Sequence, residues 1–197
     1  MVTPHLSDSM ERLYAGGPQL RPMYKGATLA GPAFTVKTAP GDNLLVHKAL
    51  DIAQPGDVIV VDAGGFADHA IIGELMAARA KQRGIAGLVI WGAIRDSAEL
   101  GAGSYPVFAS AVTHRGPYKN GPGEINVPVS IGGMVVQPGD IIVGDQDGLL
   151  AFAAAEAPDL IEKALAQKKK EDQAMADIRE GRWDRSFLDA LEARAIN

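Results

Sequence analysis

Apolar and polar positions alternate in two different rhythms along this chain, and the change of rhythm marks its elements. Val58–Asp62 and residues 85–91 are continuous β-branched and apolar runs, as expected of strands covered on both faces of a sheet. Between them, residues 71–83 carry helix formers, with apolar Ile72, Leu75, Met76 and Ala80 and a stop at Gly84, which predicts a helix. Strand, helix and strand within such a short span predict a βαβ unit with a parallel strand pair. Upstream, Ser7 predicts a cap for a short helix through Tyr14, ending at Gly16-Gly17. Residues 26–38 read as a strand interrupted near Gly31-Pro32. Pro40-Gly41-Asp42-Asn43 is a turn, after which Asp42 or Asn43 can cap a helix to about Ala53.

The stretch from Gln54 to Asp62 is echoed from Gln137 to Asp145: a Pro-Gly turn, a β-branched strand, then an Asp at the strand end. Two copies do not make a solenoid, but they predict two strands entering the core in similar ways. Further strands are expected near 106–113, 125–131 and 141–152, then a helix from Ala155 to Arg179 and a second short helix towards Asn197. The organisation is therefore a single α/β domain over 1–154 and a helical tail over 155–197. The tail, rich in Ala, Lys and Glu, has little core of its own and is expected to pack on a neighbouring subunit.

Composition narrows the classes. Of 197 residues, 47% are hydrophobic and 22% charged, enough for a sizeable core. A net charge of -5 argues against nucleic acid, whose phosphates need clustered Lys and Arg. The one basic run, Lys168-Lys169-Lys170, is followed at once by Glu171 and Asp172 and reads as a solvated helix face. The chain has no Cys, which removes disulfides and thiolate chemistry and is compatible with the cytoplasm. Neither a membrane span nor a signal peptide is expected.

Candidate chemistry collects at one point. Ligands of α/β sheets gather beyond the carboxyl ends of the strands, and Arg95-Asp96 sits just past such an end. The helix that starts near Ile72 or Gly73 begins at the same edge, where its first amides lack intrahelical acceptors and favour an anion. Free N–H groups and a guanidinium suit a carboxylate or an oxyanion, and the carboxylate of Asp96 suits a hard divalent cation. Each has a plainer alternative. Arg95-Asp96 could be a surface turn with an incidental ion pair, and Glu74 could merely complement the helix dipole. Asp62, Asp68 and His69 could form a metal cluster but lack diagnostic spacing, and His47 reads as packed on its helix. No dinucleotide, Walker or serine-hydrolase motif is present.

Gly73-Glu74-Leu75-Met76-Ala77 followed by Arg95-Asp96-Ser97-Ala98-Glu99 resembles the signature of a family with two branches. One holds the class II pyruvate aldolases acting on 4-hydroxy-4-methyl-2-oxoglutarate or 4-carboxy-4-hydroxy-2-oxoadipate. The other is named for regulator of ribonuclease activity A. Arg21-Pro22, Gly31-Pro32-Ala33, Pro40 to Asn43, Gly123 to Val129 and Gly144 to Gly148 extend the likeness over about residues 20–150. The resemblance implies a β/β/α swivelling, phosphohistidine-domain-like α/β fold with a C-terminal helical tail, assembled as a trimer or hexamer. It implies that Asp96 binds Mg²⁺ or Mn²⁺, that Arg95 contacts the pyruvyl oxygen, and that amides around Leu75 and Met76 hold the carboxylate. Glu74 falls where the family has an acid ordering water on the metal, and Glu99 matches the last acid of the motif. Glu171 is the candidate for an acid reaching in from an adjacent subunit. The implied activity is pyruvate release from 4-hydroxy-2-oxo acids and from oxaloacetate through a metal-stabilised enolate. The alternative is a non-catalytic regulator that binds and inhibits a ribonuclease. Two departures matter: Leu149 to Ala153 stand where the family has a β-branched strand ending in Pro, and the loop before Gly73 offers only Asp68-His69.

Overall fold

A computed structural model describes residues 2–11, 15–26, 28–188 and 191. In chain order the first elements are α1 (Thr3–Ser9), β1 (Arg21–Pro22), β2 (Leu29–Thr38), α2 (Leu44–Ile52), β3 (Val58–Asp62), β4 (Ala70–Ile72) and α3 (Glu74–Gln82). There follow β5 (Gly87–Ile94), α4 (Ser97–Ala102), β6 (Val107–Val112), β7 (Gly123–Ile125), β8 (Val129–Ile131) and β9 (Met134–Val136). The hairpin β10 (Ile141–Gly144) and β11 (Leu149–Phe152) and then α5 (Ala157–Arg179) come last.

The central sheet runs β1-β6-β5-β3-β2-β10-β11, with β4 on β5 and β7 on β2. Strands β6, β5, β3 and β2 are mutually parallel, and β10, β11, β7 and β1 join antiparallel. This is the mixed α/β, curled-sheet architecture with a C-terminal helix that the resemblance implies. The two continuous apolar runs are β3 and β5, paired in parallel from Val58↔Gly87 to Asp62↔Trp91. Their period of two explains the missing polar face. Ile59, Val61, Leu88 and Ile90 pack in the cluster that also takes in α2 and α3, while Val58, Val60 and Val89 pack with the β8–β9 hairpin. At about 25 cal/mol per Å² of buried apolar surface, strands covered on both faces are the main anchor of such a fold.

Five expectations about local structure change. Residues 70–72 form a strand, and α3 starts only at Glu74, because Ala70 and Ile72 pair with Ala93 and Ile94 at the edge of β5. β2 is unbroken at Pro32. The missing N–H of that proline falls where β2 changes partner, from β10 up to Pro32 to β3 from Ala33, so no ladder bond is lost. Ser7 lies inside α1, which begins at Thr3 with Pro4 in its first turn; the helix ends at Ser9, before a turn at Met10 and Glu11, and only the last part of the extension predicted through Tyr14 falls outside the described residues. The run 141–152 is a hairpin folded at Asp145 to Gly148, and 125–131 divides between β7 and β8.

The internal echo is a repeated turn. Gln54 N–H donates to Asp57 Oδ2 and Gln137 N–H to Asp140 Oδ2, both at 2.8 Å. Gly56 and Gly139 hold φ of 93° and 85°, values that favour glycine. The strands that follow both pair with β2, one parallel and one antiparallel. Each ends in an Asp that turns back on the chain: Asp62 accepts from Gly64 N–H and Asp145 from Asp147 N–H.

α5 packs through Leu160 and Ala164 on Leu6, Met10, Leu150 and Phe152. The joint between α1 and the β10–β11 turn is polar: Thr3 donates its N–H and its hydroxyl to the buried Asp145, each at 2.7 Å. The second tail helix expected towards Asn197 lies largely outside the described residues.

Candidate active site

The site lies where β5 and β4 end together. Ile72 accepts the N–H of Arg95 at 3.0 Å, which locks Gly73 beside Asp96 across the sheet edge. Gly73 occupies the N-cap of α3 with extended backbone and no side chain to cap it. Asp96 supplies the cap from the neighbouring segment: its Oδ2 accepts Glu74 N–H at 2.9 Å. Gly73 makes this possible by its lack of a Cβ, which would stand 2.3 Å from Asp96 Oδ2 and 2.9 Å from Arg95 Cγ. Asp96 itself has φ 54° and ψ 41° and is the N-cap residue of α4, a left-handed conformation that Asp tolerates better than most residues.

Three kinds of group converge here. Among the described residues the N–H groups of Leu75 and Met76 carry no hydrogen bond, so the positive end of α3 is open to an anion. Arg95 Nε is 3.8 Å from Asp96 Oδ2, and the two side chains are 44% and 38% exposed, accessible to solutes rather than locked in a buried pair. Asp96 Oδ1 has no partner among the described residues. Gly116 passes over the guanidinium, where a Cβ would stand 3.5 Å from Arg95 Nη1.

These groups open on a cavity of ≈ 190 Å³ lined by Ile72, Gly73, Leu75, Met76, Arg95 and Asp96 and, from other parts of the chain, by Asn43, His47, Pro117 and Lys119. From sequence, Asn43 reads as a helix cap and His47 as packed on its helix, and Pro117 and Lys119 give no signal of a site. Asn43 and His47 arrive on α2, and Pro117 and Lys119 on the loop after β6, tied to β4 by Ala70 N–H to Arg115 O. Burial, then the Lys119 ammonium, hold the His47 imidazole below its ordinary pKa, partly countered by Asp51. His47 is thus biased towards the neutral form, while Lys119 and Arg95 put two cations around a small opening.

Glu74 and Glu99 are exposed in the first turns of α3 and α4. Glu171 is not among the residues lining this chain's cavity. It lies on α5 with Oε2 2.9 Å from His5 Nε2 and accepts from Gln167. Asp62, Asp68 and His69 do not form a cation site: among the described residues no three His, Asp or Glu cluster in that way. Asp62 closes its turn instead, and His69 stacks on Phe66 and meets Tyr118.

Comparison with known proteins identifies the family. A family model described as RraA-like: Aldolase/RraA matches residues 3–151. The chain belongs to the RraA-like family. A protein of Halalkalibacterium halodurans that carries the name 4-hydroxy-4-methyl-2-oxoglutarate aldolase provisionally is 41% identical over 87% of this chain and 81% of its own. The 4-hydroxy-4-methyl-2-oxoglutarate aldolase of Thermus thermophilus is 38% identical over 75% of this chain and 90% of its own. Among solved structures, the RNA-processing inhibitor RraA of Thermus superposes with a TM-score of 0.71 at 35% identity, covering 78% of this chain and 93% of that one. Membership of the RraA-like family therefore spans both an aldolase name and an inhibitor name. No helix among the described residues is long and apolar enough to cross a membrane.

Proposed function

We propose that this RraA-like chain is a divalent-metal-dependent aldolase that releases pyruvate from 4-hydroxy-2-oxo dicarboxylic or tricarboxylic acids, and from oxaloacetate by the same route. The observation that carries the reading is the meeting of free α3 amides, the Arg95 guanidinium and the Asp96 carboxylate at one small opening. The aldolase names of the two relatives support it.

The α3 amides at Leu75 and Met76 receive the carboxylate next to the keto group, and Arg95 faces the keto oxygen. Lys119 gives a distal carboxylate a counter-charge. Asp96 suits Mg²⁺ or Mn²⁺, because a hard cation bound by one protein carboxylate completes its shell with water and substrate oxygens. Its free Oδ1 fits that role. Glu74 and Glu99, in the first turns of α3 and α4, are the candidates to act through water, although neither lines the cavity itself. When bound, the cation supplies Lewis-acid polarisation of the keto oxygen. In the cleavage the C4 hydroxyl loses its proton to water held by Glu74. The C3–C4 bond breaks, and its electron pair passes into the keto group, whose oxygen gains negative charge against Arg95. C3 then takes up a proton to give pyruvate. In oxaloacetate the bond to the distal carboxylate breaks and CO₂ leaves. No lysine Schiff base enters.

The test is pyruvate release from oxaloacetate and from 4-hydroxy-4-methyl-2-oxoglutarate, with Mg²⁺ or Mn²⁺ and then with EDTA. Release that EDTA abolishes and metal restores is the expected result. Absence of release from both would sink the reading and turn attention to the second one, a ribonuclease-binding regulator, which the likeness to the RNA-processing inhibitor favours.

A further inference from the structure

Among the residues that line the cavity, Asn43 has no use in the reaction just described and carries an unpaired polar atom. Asn43 is 2% exposed and lines the opening shared by Arg95 and Asp96. Its Nδ2 donates to the carbonyl of Ile71 at 2.8 Å and lies 3.3 Å from Met76 Sδ. That carbonyl fixes the amide's orientation, since the flipped amide would set oxygen against oxygen. Its backbone N–H is held by Tyr118 O. The remaining side-chain atom, Oδ1, is buried with no hydrogen-bond partner among the described residues. A buried acceptor left unpaired is costly, so a site that keeps one there is built to receive a donor.

The neighbours say which donor. Arg95, Lys119 and the α3 amides are donors and suit carboxylate and keto oxygens. Asp96 is the remaining acceptor of formal charge: its Oδ2 is engaged by Glu74 N–H, and its Oδ1 is the oxygen given to the cation in the reading above. Asn43 Oδ1 is a neutral acceptor that repels anions and pairs with a hydroxyl. We propose that Asn43 is the specificity-determining residue that recognises the C4 hydroxyl of a 4-hydroxy-2-oxo acid and so favours such substrates over oxaloacetate, which has no hydroxyl. This rests on the aldolase reading above and names the feature of the substrate that the cavity selects. An amide oxygen is too weakly basic to keep the proton. Asn43 therefore orients the bound hydroxyl, and the bond is given up as the proton leaves. Its contribution falls on ground-state binding, in KM more than in kcat.

The experiment uses the full-length chain with Mg²⁺ and compares wild type, Asn43→Ala and Asn43→Ser, each checked for folding by its thermal transition. Steady-state constants are measured for 4-hydroxy-4-methyl-2-oxoglutarate and for oxaloacetate. Exchange of the pyruvate methyl protons in D₂O, followed by NMR, reports enolisation without any hydroxyl. The expected result is a fall in kcat/KM for the hydroxy acid, relative to that for oxaloacetate, on the order of 10- to 100-fold, carried by KM. Proton exchange falls no more than oxaloacetate turnover does. Equal losses in all three assays would overturn the proposal, because loss of the Ile71 contact alone would act on every substrate alike. So would an unchanged ratio in a folded variant. A wild-type protein inactive on both substrates would overturn the aldolase reading itself, and this proposal with it.

Discussion

Replacing Gly73 by Ala is the sharpest test of how the site is assembled. The new Cβ would lie 2.3 Å from Asp96 Oδ2, so the carboxylate must retreat by about 1 Å to reach an ordinary contact. That shift stretches the 2.9 Å bond from Glu74 N–H beyond hydrogen-bonding range. The backbone accepts alanine, because Gly73 has φ -146°. Losing the cap costs about 1 kcal/mol. The stiffer unfolded chain returns about 0.4–1 kcal/mol. The two nearly cancel, and the melting temperature should stay within about 4 °C of wild type. Activity should not survive so well, since a misplacement of about 1 Å at a reacting centre costs on the order of 100-fold. The assay pairs kcat/KM for pyruvate release with a thermal melt. A Gly73→Ala protein that melts normally and retains activity within about threefold would show that the position of the Asp96 carboxylate does not control turnover.

Three further outcomes follow from the same geometry. Arg95→Ala should lower kcat/KM by about 10²–10³ or more while changing stability by no more than about 0.5 kcal/mol, as read by kinetics and urea unfolding, because the side chain is half exposed. Stability should fall in acid. Burial tends to raise the carboxyl pKa values of Asp42 and Asp145, but donated hydrogen bonds outweigh it and hold both below their ordinary value. Each contributes stability that is fully present above the unfolded value, near about 3.9, and is lost as pH falls through the folded one; urea midpoints at pH 5 and pH 3 measure this. Asp145→Asn should cost about 1–3 kcal/mol at neutral pH and flatten that acid limb, and an unchanged pH profile would exclude Thr3–Asp145 as its source.

The parts of this molecule that were legible in its sequence are those governed by neighbouring residues. The continuous apolar runs of β3 and β5 declare burial on both faces, and Arg95-Asp96 declares itself by following one of them. Gly73 was readable as an open helix start, though not as a glycine demanded by Asp96 Oδ2, because that contact joins segments separated by a helix. Asn43, His47 and Lys119 carried no local signal of a shared cavity. They meet through the parallel ladder and the crossing of α2, and a single sequence does not encode such distances in its periodicity. The strand at 70–72 was missed for a related reason: its apolar residues also fit a helix face, and only the edge of β5 decides between the two. Pro32 misled because a proline is expected to interrupt a strand unless the strand changes partner at that position.

The pairing of Ala70 with Ala93 and Ile72 with Ile94 acts as a ruler. It fixes where the helix start and the arginine stand relative to each other, independently of how many residues lie between them. A residue inserted between Gln82 and Gly87, in the turn after α3, leaves both strand ends where they are. The same insertion inside β5 would slip the register by one and turn the following side chains to the opposite face, setting Arg95 in the place of Asp96. Length variation in functional descendants of this chain is therefore confined to the turn, and so is the room for engineering a longer one.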